Sequence, residues 1–321
     1  TRALSSAASD VYKRQVLETL RKHAQETQYQ YERLYRNLYN PQFYLLAYQN
    51  LYANKGSMTP GADGKTISGM GMKRIEDLVK KIRDRSYQPH PARRQYISKK
   101  SGNGLRPLGI PSADDKLVQE AVRMILESIY EPNFKQTSHG FRPNRSCHTA
   151  LAQIQRTFTG VSWFVEGDIK GCFDNIDHHI LIDILKRRIK DEAFIDLIWK
   201  LLRAGYLEDW MKHQTYSGTP QGSGVSPLLA NIYMNELDQF MEEYRGRFNK
   251  GDKRRFSNAY VNANHHYARA KARNAKKWEL MNEEERENAR IMQKELQTTL
   301  LSTPSRDQMD PNYRRIVYVR Y

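Results

Sequence analysis

The run WFVEGDIKGCFDNI, from Trp163 to Ile176, decides how this 321-residue sequence is interpreted. Residues 163–169 are predicted to form a short strand, in which successive side chains alternate between the two faces of a sheet. Asp168 then stands at the end of the strand, where an open sheet edge can meet a substrate. Because an isolated aspartate at such a point most often caps a turn or a helix, the strand alone does not identify a catalytic residue.

A second run, GTPQGSGVSPLLANIYMNELD, extends from Gly218 to Asp238 and predicts a glycine-rich turn that opens a helix. Ser226 is placed to cap this helix, and Pro227 is suited to its first position. The final residues, 316–321, are predicted to form one more strand. Strands and helices together indicate an α+β protein.

Other helices are predicted from apolar residues at helical spacing. One covers Asp115 to Tyr130 and ends before Pro132. Asp177 is expected to cap the next one, and a further helix is expected to begin near Asp191.

The charge balance favours a polyanionic partner. The chain has 52 Lys and Arg against 36 Asp and Glu, a net charge of +16. Neutralising phosphates releases counterions, which favours nucleic-acid binding, although a basic protein without such a partner has the same composition. Two cysteines are too few for a disulfide framework and suggest a reducing compartment. The sequence predicts no membrane span and no secretory signal.

Two segments concentrate the positive charge. The first, from Lys73 to Arg106, has eleven basic and three acidic residues, and its end predicts a hairpin with a turn at Ser101–Gly104. The second, from Arg245 to Lys277, has eleven basic residues and one acidic residue, with aromatic residues between them. Both can be solvated charged surfaces, and both suit a nucleic acid.

These runs together resemble the reverse transcriptase domain of group II intron-encoded reverse transcriptases and maturases. The resemblance rests on Asp168 followed by Phe173 and Asp174, on the Thr-Pro-Gln-Gly turn, and on a final strand that reaches Tyr321. It implies a right-hand polymerase with fingers and palm, whose antiparallel palm sheet packs on helices. In this family a Tyr-Ala-Asp-Asp turn follows such a strand, so we expect two further catalytic carboxylates beyond Tyr321.

The same resemblance implies a domain organisation. Residues 1–14 are expected to be foreign or disordered. The other parts are an N-terminal extension with fingers at 15–160, a palm with a helical insertion at 161–244, a basic helical insertion at 245–313, and a palm strand at 314–321 that leads to the catalytic turn.

The implied active site uses two Mg²⁺ ions, a site that would be incomplete without the further carboxylates. Asp168 is the expected catalytic residue and metal ligand, joined by the backbone carbonyl of Ile169. Phe173 is the expected steric gate against the 2′-hydroxyl of ribonucleotides. The other residues expected at the incoming nucleotide are Lys99, Arg106, Gln221 and Gly222.

Contacts with RNA are expected at a set of cations: Lys55, Arg93, Arg94, Arg142, Arg145, Arg254 and Arg255. For Arg142 and Arg145 a structural role, binding carboxylates or backbone carbonyls, is an equal alternative. For the segment from Arg245 to Lys277 the equal alternative is a solvated helical hairpin.

The predicted function is RNA-directed DNA synthesis, together with maturase binding of the intron RNA for splicing and retrohoming. The expected partners are group II intron RNA, an RNA template with a DNA or RNA primer, and deoxynucleoside triphosphates; a homodimer is left open. Without the further carboxylates we expect the 321-residue chain to be inactive in synthesis. The alternatives are a splicing maturase without polymerase activity and a retron or defence-type reverse transcriptase. The expected location is the cytoplasm of a bacterial host, with an organelle as the open alternative.

Overall fold

The structure, a computed structural model, describes residues 15–98, 104–208, 211–213, 217–218 and 224–321. The chain forms two compact units. The first unit runs to Gln155 and adds Glu166–Gln239 and Val319–Tyr321. The second unit consists of Arg156–Val165 and Phe240–Tyr318, so the predicted insertion at 245–313 lies within one unit.

Helices dominate the described residues. Residues 15–24 form helix α1. The others are α2 (Pro41–Tyr52), α3 (Met72–Arg83), α4 (Ala113–Tyr130), α5 (Cys147–Thr157), α6 (His178–Lys186), α7 (Glu192–Leu202), α8 (Ser226–Phe248), α9 (Asn258–Lys277) and α10 (Glu283–Ser302). No helix in these described ranges is both long and apolar enough to cross a membrane.

Side-chain caps fix where several helices begin. Asp177 accepts a hydrogen bond from the Ile180 amide at the start of α6, and Asp191 accepts one from the Phe194 amide at the start of α7. The cap at Asp177 and the start of a helix near Asp191 were predicted, and both are confirmed. Such caps satisfy backbone N–H groups that have no partner within the helix.

A four-stranded mixed sheet lies in the first unit. Its strands are β1 (Ala92–Ser98), β2 (Leu105–Ile110), β3 (Tyr206–Glu208) and β4 (Met211–His213), in the order β2-β1-β3-β4. The β1–β2 and β3–β4 pairs are antiparallel, and β1–β3 is parallel. The predicted hairpin is therefore confirmed, although its turn lies outside the described residues.

The core of the first unit is built around α4. Leu117, Ile125 and Leu126 on this helix are fully buried. They belong to one cluster with apolar residues of α2, α3, α6, α7 and α8. The α+β class is thus confirmed, with the helices supplying most of the buried surface.

The two predicted palm strands are not formed, which corrects the expectation from sequence. Residues 161–170 are extended and exposed, with Trp163 at 90% and Val165 at 92% exposure. Residues 316–321 make only an isolated parallel bridge, between Arg320 and Ser138. The physical reason is that a strand requires a hydrogen-bonded neighbour, and among the described residues neither segment has a continuous one.

The second unit is a helical hairpin. Ala270 and Asn274 of α9 are buried against α10, where the Asn274 amide donates to the Ala289 carbonyl at 3.4 Å. A capping box between Asn282 and Glu285 begins α10. The Arg255 guanidinium binds the Asp307 carboxylate at 2.8 Å and fastens the base of the hairpin.

Candidate active site and nucleic-acid surfaces

A tight turn holds the segment that follows Asp168. Gly171 has φ +60°, and its carbonyl accepts hydrogen bonds from the amides of Asp174 at 2.9 Å and Asn175 at 3.0 Å. The Asn175 side chain also donates to the Lys170 carbonyl at 3.1 Å. Asp168 itself lies just before this turn and is exposed. Its carboxylate is therefore accessible to ligands from solvent.

Gly218 joins this turn to the start of the second motif. The Gly218 amide donates to the Ile176 carbonyl at 2.8 Å, and the Gly218 carbonyl is 2.6 Å from Nε2 of His178. A Cβ atom at Gly218 would lie 2.6 Å from the carbonyl oxygens of both Phe173 and Asp174. Only glycine fits there, because the space is absent and φ is +82°.

The Phe173 ring lies between the core and an exposed aromatic residue. It is partly buried against the core cluster. On another side its centroid is 5.8 Å from that of Phe141, with the rings inclined by 85°. This edge-to-face geometry is a favourable aromatic arrangement. Phe173 thus reaches the surface at the turn that follows Asp168.

A buried ionic cluster anchors the segment that ends at Tyr321. The Arg320 guanidinium binds both oxygens of the fully buried Asp238 carboxylate, at 2.9 and 2.8 Å. It also donates to Asn231 at 3.1 Å and to the Ser138 hydroxyl at 2.7 Å. A bidentate pair of this kind is strong and directional. It ties the last residues to helix α8 and to Ser138.

Backbone contacts extend this cluster. The His139 amide donates to the Arg320 carbonyl at 2.9 Å, and the Arg320 amide donates to the Thr137 carbonyl at 2.8 Å. The Asn231 side chain donates to the Gly140 carbonyl at 2.8 Å. A Cβ atom on Gly140 would lie 2.9 Å from the carbonyl carbon of Tyr321. The chain next to Phe141 is therefore held from two sides.

Burial favours the protonated form of the Cys172 thiol. Burial raises the pKa of the Cys172 thiol; Arg320 opposes this shift and Asp168 adds to it. A thiol with a raised pKa stays neutral at physiological pH and is a poor metal ligand. Asp168 is consequently the stronger candidate ligand of the two.

The donors at Asp168 suit a hard cation. Mg²⁺ takes oxygen ligands, often only one or two carboxylates, and keeps water and substrate phosphates in its other positions. The exposed Asp168 carboxylate, with the neighbouring Ile169 backbone carbonyl, fits that requirement. Within the described ranges no three His, Cys, Asp or Glu residues gather as a metal site, so these residues alone do not form a closed protein cage.

Comparison with known proteins assigns the family. Residues 97–261 match the family model "Reverse transcriptase (RNA-dependent DNA polymerase)".

The chain belongs to the reverse transcriptase family.

Several relatives of this reverse transcriptase chain are named as intron proteins. It is 53% identical over 246 residues to the group II intron-encoded protein LtrA of Lactococcus lactis subsp. cremoris, covering 76% of this chain and 41% of LtrA. It is 33% identical over 168 residues to the protein named "Nuclear intron maturase 2, mitochondrial" of Arabidopsis thaliana. The match covers 40% of this chain and 23% of that protein. The predicted resemblance to group II intron reverse transcriptases and maturases is confirmed. The chain spans less than half the length of these curated relatives.

Among solved structures, a partial Cas6-RT-Cas1–Cas2 complex aligns with 65% of this chain and 35% of that chain, at TM-score 0.42 and 21% identity. Reverse transcriptase domains generally use Mg²⁺, in keeping with the oxygen donors at Asp168.

Several predicted nucleotide contacts lie outside the described structure. Lys99, Gln221 and Gly222 are outside the described residues. Arg106 is described only in its backbone, which pairs with Ile97 in the β1–β2 ladder. Lys55 begins a 3₁₀ turn, Lys55–Met58, and its side chain is likewise outside the description. These assignments stay predictions.

Two predicted RNA-binding arginines on β1 have protein partners. Arg93 donates to the Pro60 carbonyl at 3.0 and 3.2 Å, and so holds the loop that contains Pro60 against the sheet. Arg94 lies 3.9 Å from the centroid of the Tyr206 ring and 3.9 Å from Glu208. Both remain partly exposed. A structural role is therefore present at each, beside any contact with RNA.

For Arg142 the structural alternative describes what is observed. Its side chain is only 4% exposed and binds the Glu131 carboxylate at 2.8 Å. It also donates to the carbonyls of Lys135 at 2.7 Å and Ser138 at 2.9 Å. Arg145 donates to the Gln136 carbonyl at 2.9 Å. The Arg142 guanidinium is therefore engaged by protein acceptors.

The two arginines of the insertion that were predicted to contact RNA, Arg254 and Arg255, also have protein partners. Arg255 is bound to Asp307 and holds the pKa of that carboxyl below its usual value. Arg254 lies over the Tyr313 ring, 5.3 Å from its centroid.

Sequence reasoning missed Arg320, Asp238 and Asn231. A signal was present, because Asn231 and Asp238 are seven residues apart in a helix and so share one face. Both are buried there, at 3% and 1% exposure. Two buried polar side chains on one helical face require a hydrogen-bonding partner. Arg320, directly before Tyr321, is a residue that could supply it.

Gly218→Ala tests the junction between the two motifs. We expect a loss of at least about 1 kcal/mol in the free energy of unfolding, because alanine meets the left-handed backbone penalty and two carbonyl oxygens. Gly224→Ala is the matched control, since a Cβ there meets nothing within 4 Å. That control should be neutral or slightly stabilising. Denaturant titration of both variants measures the difference; equal stabilities would contradict the close approach at Gly218.

Proposed function

We propose that this chain provides the fingers and palm of an RNA-directed DNA polymerase encoded by a group II intron, which also serves the intron as a maturase. The observation that carries the proposal is the junction at Gly218. There the Gly218 amide donates to the Ile176 carbonyl, and the Gly218 backbone lies against the carbonyls of Phe173 and Asp174, in the turn that follows Asp168. Gly218, the first residue of the second motif, thereby contacts the turn of the first motif.

In this proposal Asp168 holds Mg²⁺ through its exposed carboxylate, with the Ile169 carbonyl as a second donor. Mg²⁺ supplies charge neutralisation and activates the primer hydroxyl when it is bound in pairs. Lys99 and Arg106 are proposed to bind the triphosphate. Gln221 and Gly222 are proposed to contact the nascent base pair.

Phe173 acts as the gate for the sugar. A ring beneath the sugar leaves no room for a 2′-hydroxyl, which is the group that distinguishes ribonucleotides from deoxyribonucleotides. The position supports this role, because Phe173 is half-buried against the core on one side and its turn directly follows the exposed Asp168.

We propose that α9 is the main surface of the second unit for intron RNA. An α-helix turns about 100° per residue, so Arg269, Arg273 and Lys276 fall within roughly 60° of one another and Lys271 faces away from them. All are exposed, and no carboxylate in the described ranges forms an ion pair with them. The acids of α10 are instead engaged locally, as Glu287 is with Arg290 at 3.0 Å.

A stripe of cations without carboxylate partners among the described residues has two uses in principle: it improves solubility, or it binds phosphates. The resemblance to proteins encoded by group II introns favours phosphates, and RNA is the polyanion that a maturase must hold. The cations of the stripe lie on one side of α9. Substitutions on that side and on the opposite side can therefore distinguish RNA binding from charge that only improves solubility.

Asp168→Ala tests the catalytic proposal in the complete gene product. We expect primer extension on an RNA template to fall below detection, while RNA affinity changes by less than about twofold, because binding rests on many dispersed cations. Asp174→Ala is the control, since we place that carboxylate in the turn rather than at the metal. A parallel loss of RNA binding in Asp168→Ala would assign Asp168 a structural role instead.

Arg269→Gln tests the α9 stripe in the 321-residue chain. Each phosphate contact contributes roughly −0.7 to −0.9 to the slope of log affinity against log salt concentration. We therefore expect the slope for an RNA stem–loop to become shallower by about 1. Lys271→Gln removes the same charge from the other side of α9 and should leave the slope within about 0.3. Equal slopes for the two variants would show that α9 is a solvated hairpin.

A further inference from the structure

Phe141 has a backbone conformation that its side chain disfavours. Its φ is +54°, in the left-handed region where a bulky residue is a clear outlier. Such strain persists only where surrounding contacts impose it, and it concentrates at functional sites. The ring is also 71% exposed, so burial of apolar surface does not account for a phenylalanine at this position.

The neighbours of Phe141 impose the conformation. On one side the Gly140 carbonyl accepts a hydrogen bond from the buried Asn231 side chain at 2.8 Å. On the other side Arg142 is buried and bound to Glu131 and to two carbonyls. Because both flanking residues are fixed, the backbone of Phe141 is fixed as well.

Among the residues that the structure describes, the ring of Phe141 makes one aromatic contact, with Phe173. The centroids are 5.8 Å apart and the planes are inclined by 85°. Phe173 is packed against the core on one side, so Phe141 limits its rotation on another. A ring that must exclude a single hydroxyl group has to be held within a fraction of an ångström.

We propose that Phe141 is a positioning residue that fixes the Phe173 ring and thereby sharpens the choice of deoxyribonucleotides over ribonucleotides. The inference rests on the proposed function of Phe173 as the sugar gate. It adds that discrimination depends on a second aromatic side chain, supplied by a strained residue from a separate part of the sequence.

The test compares Phe141→Asn with Phe141→Tyr in the complete gene product. Asparagine tolerates the left-handed backbone but lacks a ring, whereas tyrosine keeps the ring. An edge-to-face pair has a strength that corresponds to roughly two- to tenfold in a rate ratio. We expect Phe141→Asn to lower the ratio of kcat/KM for deoxyribonucleotide over ribonucleotide by that factor, and Phe141→Tyr to leave it unchanged.

A double variant distinguishes a positioning role of Phe141 from a general loss of activity. If Phe141 acts through Phe173, then Phe141→Asn should not change the ratio further when it is added to Phe173→Ala. An unchanged ratio in an active Phe141→Asn variant overturns the inference, and so does the same drop in the Phe173→Ala background. Absence of primer extension by the unsubstituted protein overturns the proposed function itself, and the inference with it.

Discussion

The buried ion pair between Arg320 and Asp238 is the interaction on which the candidate site depends. Asp238 is fully removed from water, and both of its carboxylate oxygens bind the Arg320 guanidinium, which offsets the cost of burying the charge. Asn231 and Ser138 bind the same guanidinium. Helix α8, the loop at Ser138 and the residues that lead to Tyr321 are therefore joined at one point.

From this point the contacts lead to the turn after Asp168. Asn231 fixes Gly140, which places Phe141, and the Phe141 ring contacts Phe173. On the far side of the turn, Gly218 allows the second motif to approach within hydrogen-bonding distance. Segments distant in sequence thus supply a rigid frame, while Asp168 stays exposed for ligands. A polymerase site needs this combination, since substrates and metals come from solvent and the groups that select them must not move.

Local signals in the sequence predicted local structure well. The caps at Asp177 and Asp191 and the β1–β2 hairpin follow from short-range chemistry, and the structure contains them. The prediction of a strand at 163–169 was wrong because a strand forms only beside a hydrogen-bonded neighbour. The residue pattern of a segment does not show whether such a neighbour is present. For Arg142, sequence left two roles equal, and burial favours the structural one, because partner carbonyls and carboxylates come from residues whose proximity only the fold reveals. Arg320 was missed for the same reason.

The opening free energy of the His139 amide, obtained from hydrogen exchange, tests the ion pair most directly, because this amide donates to the Arg320 carbonyl. It should be measured in Arg320→Met, in Asp238→Leu and in the double variant. Each single change leaves a buried group without its partner and should lower the opening free energy by roughly 3 kcal/mol or more. The double variant should lose less than the sum of the two, by at least about 1 kcal/mol. Additive losses, or single losses below about 1 kcal/mol, would contradict a frame that depends on this pair.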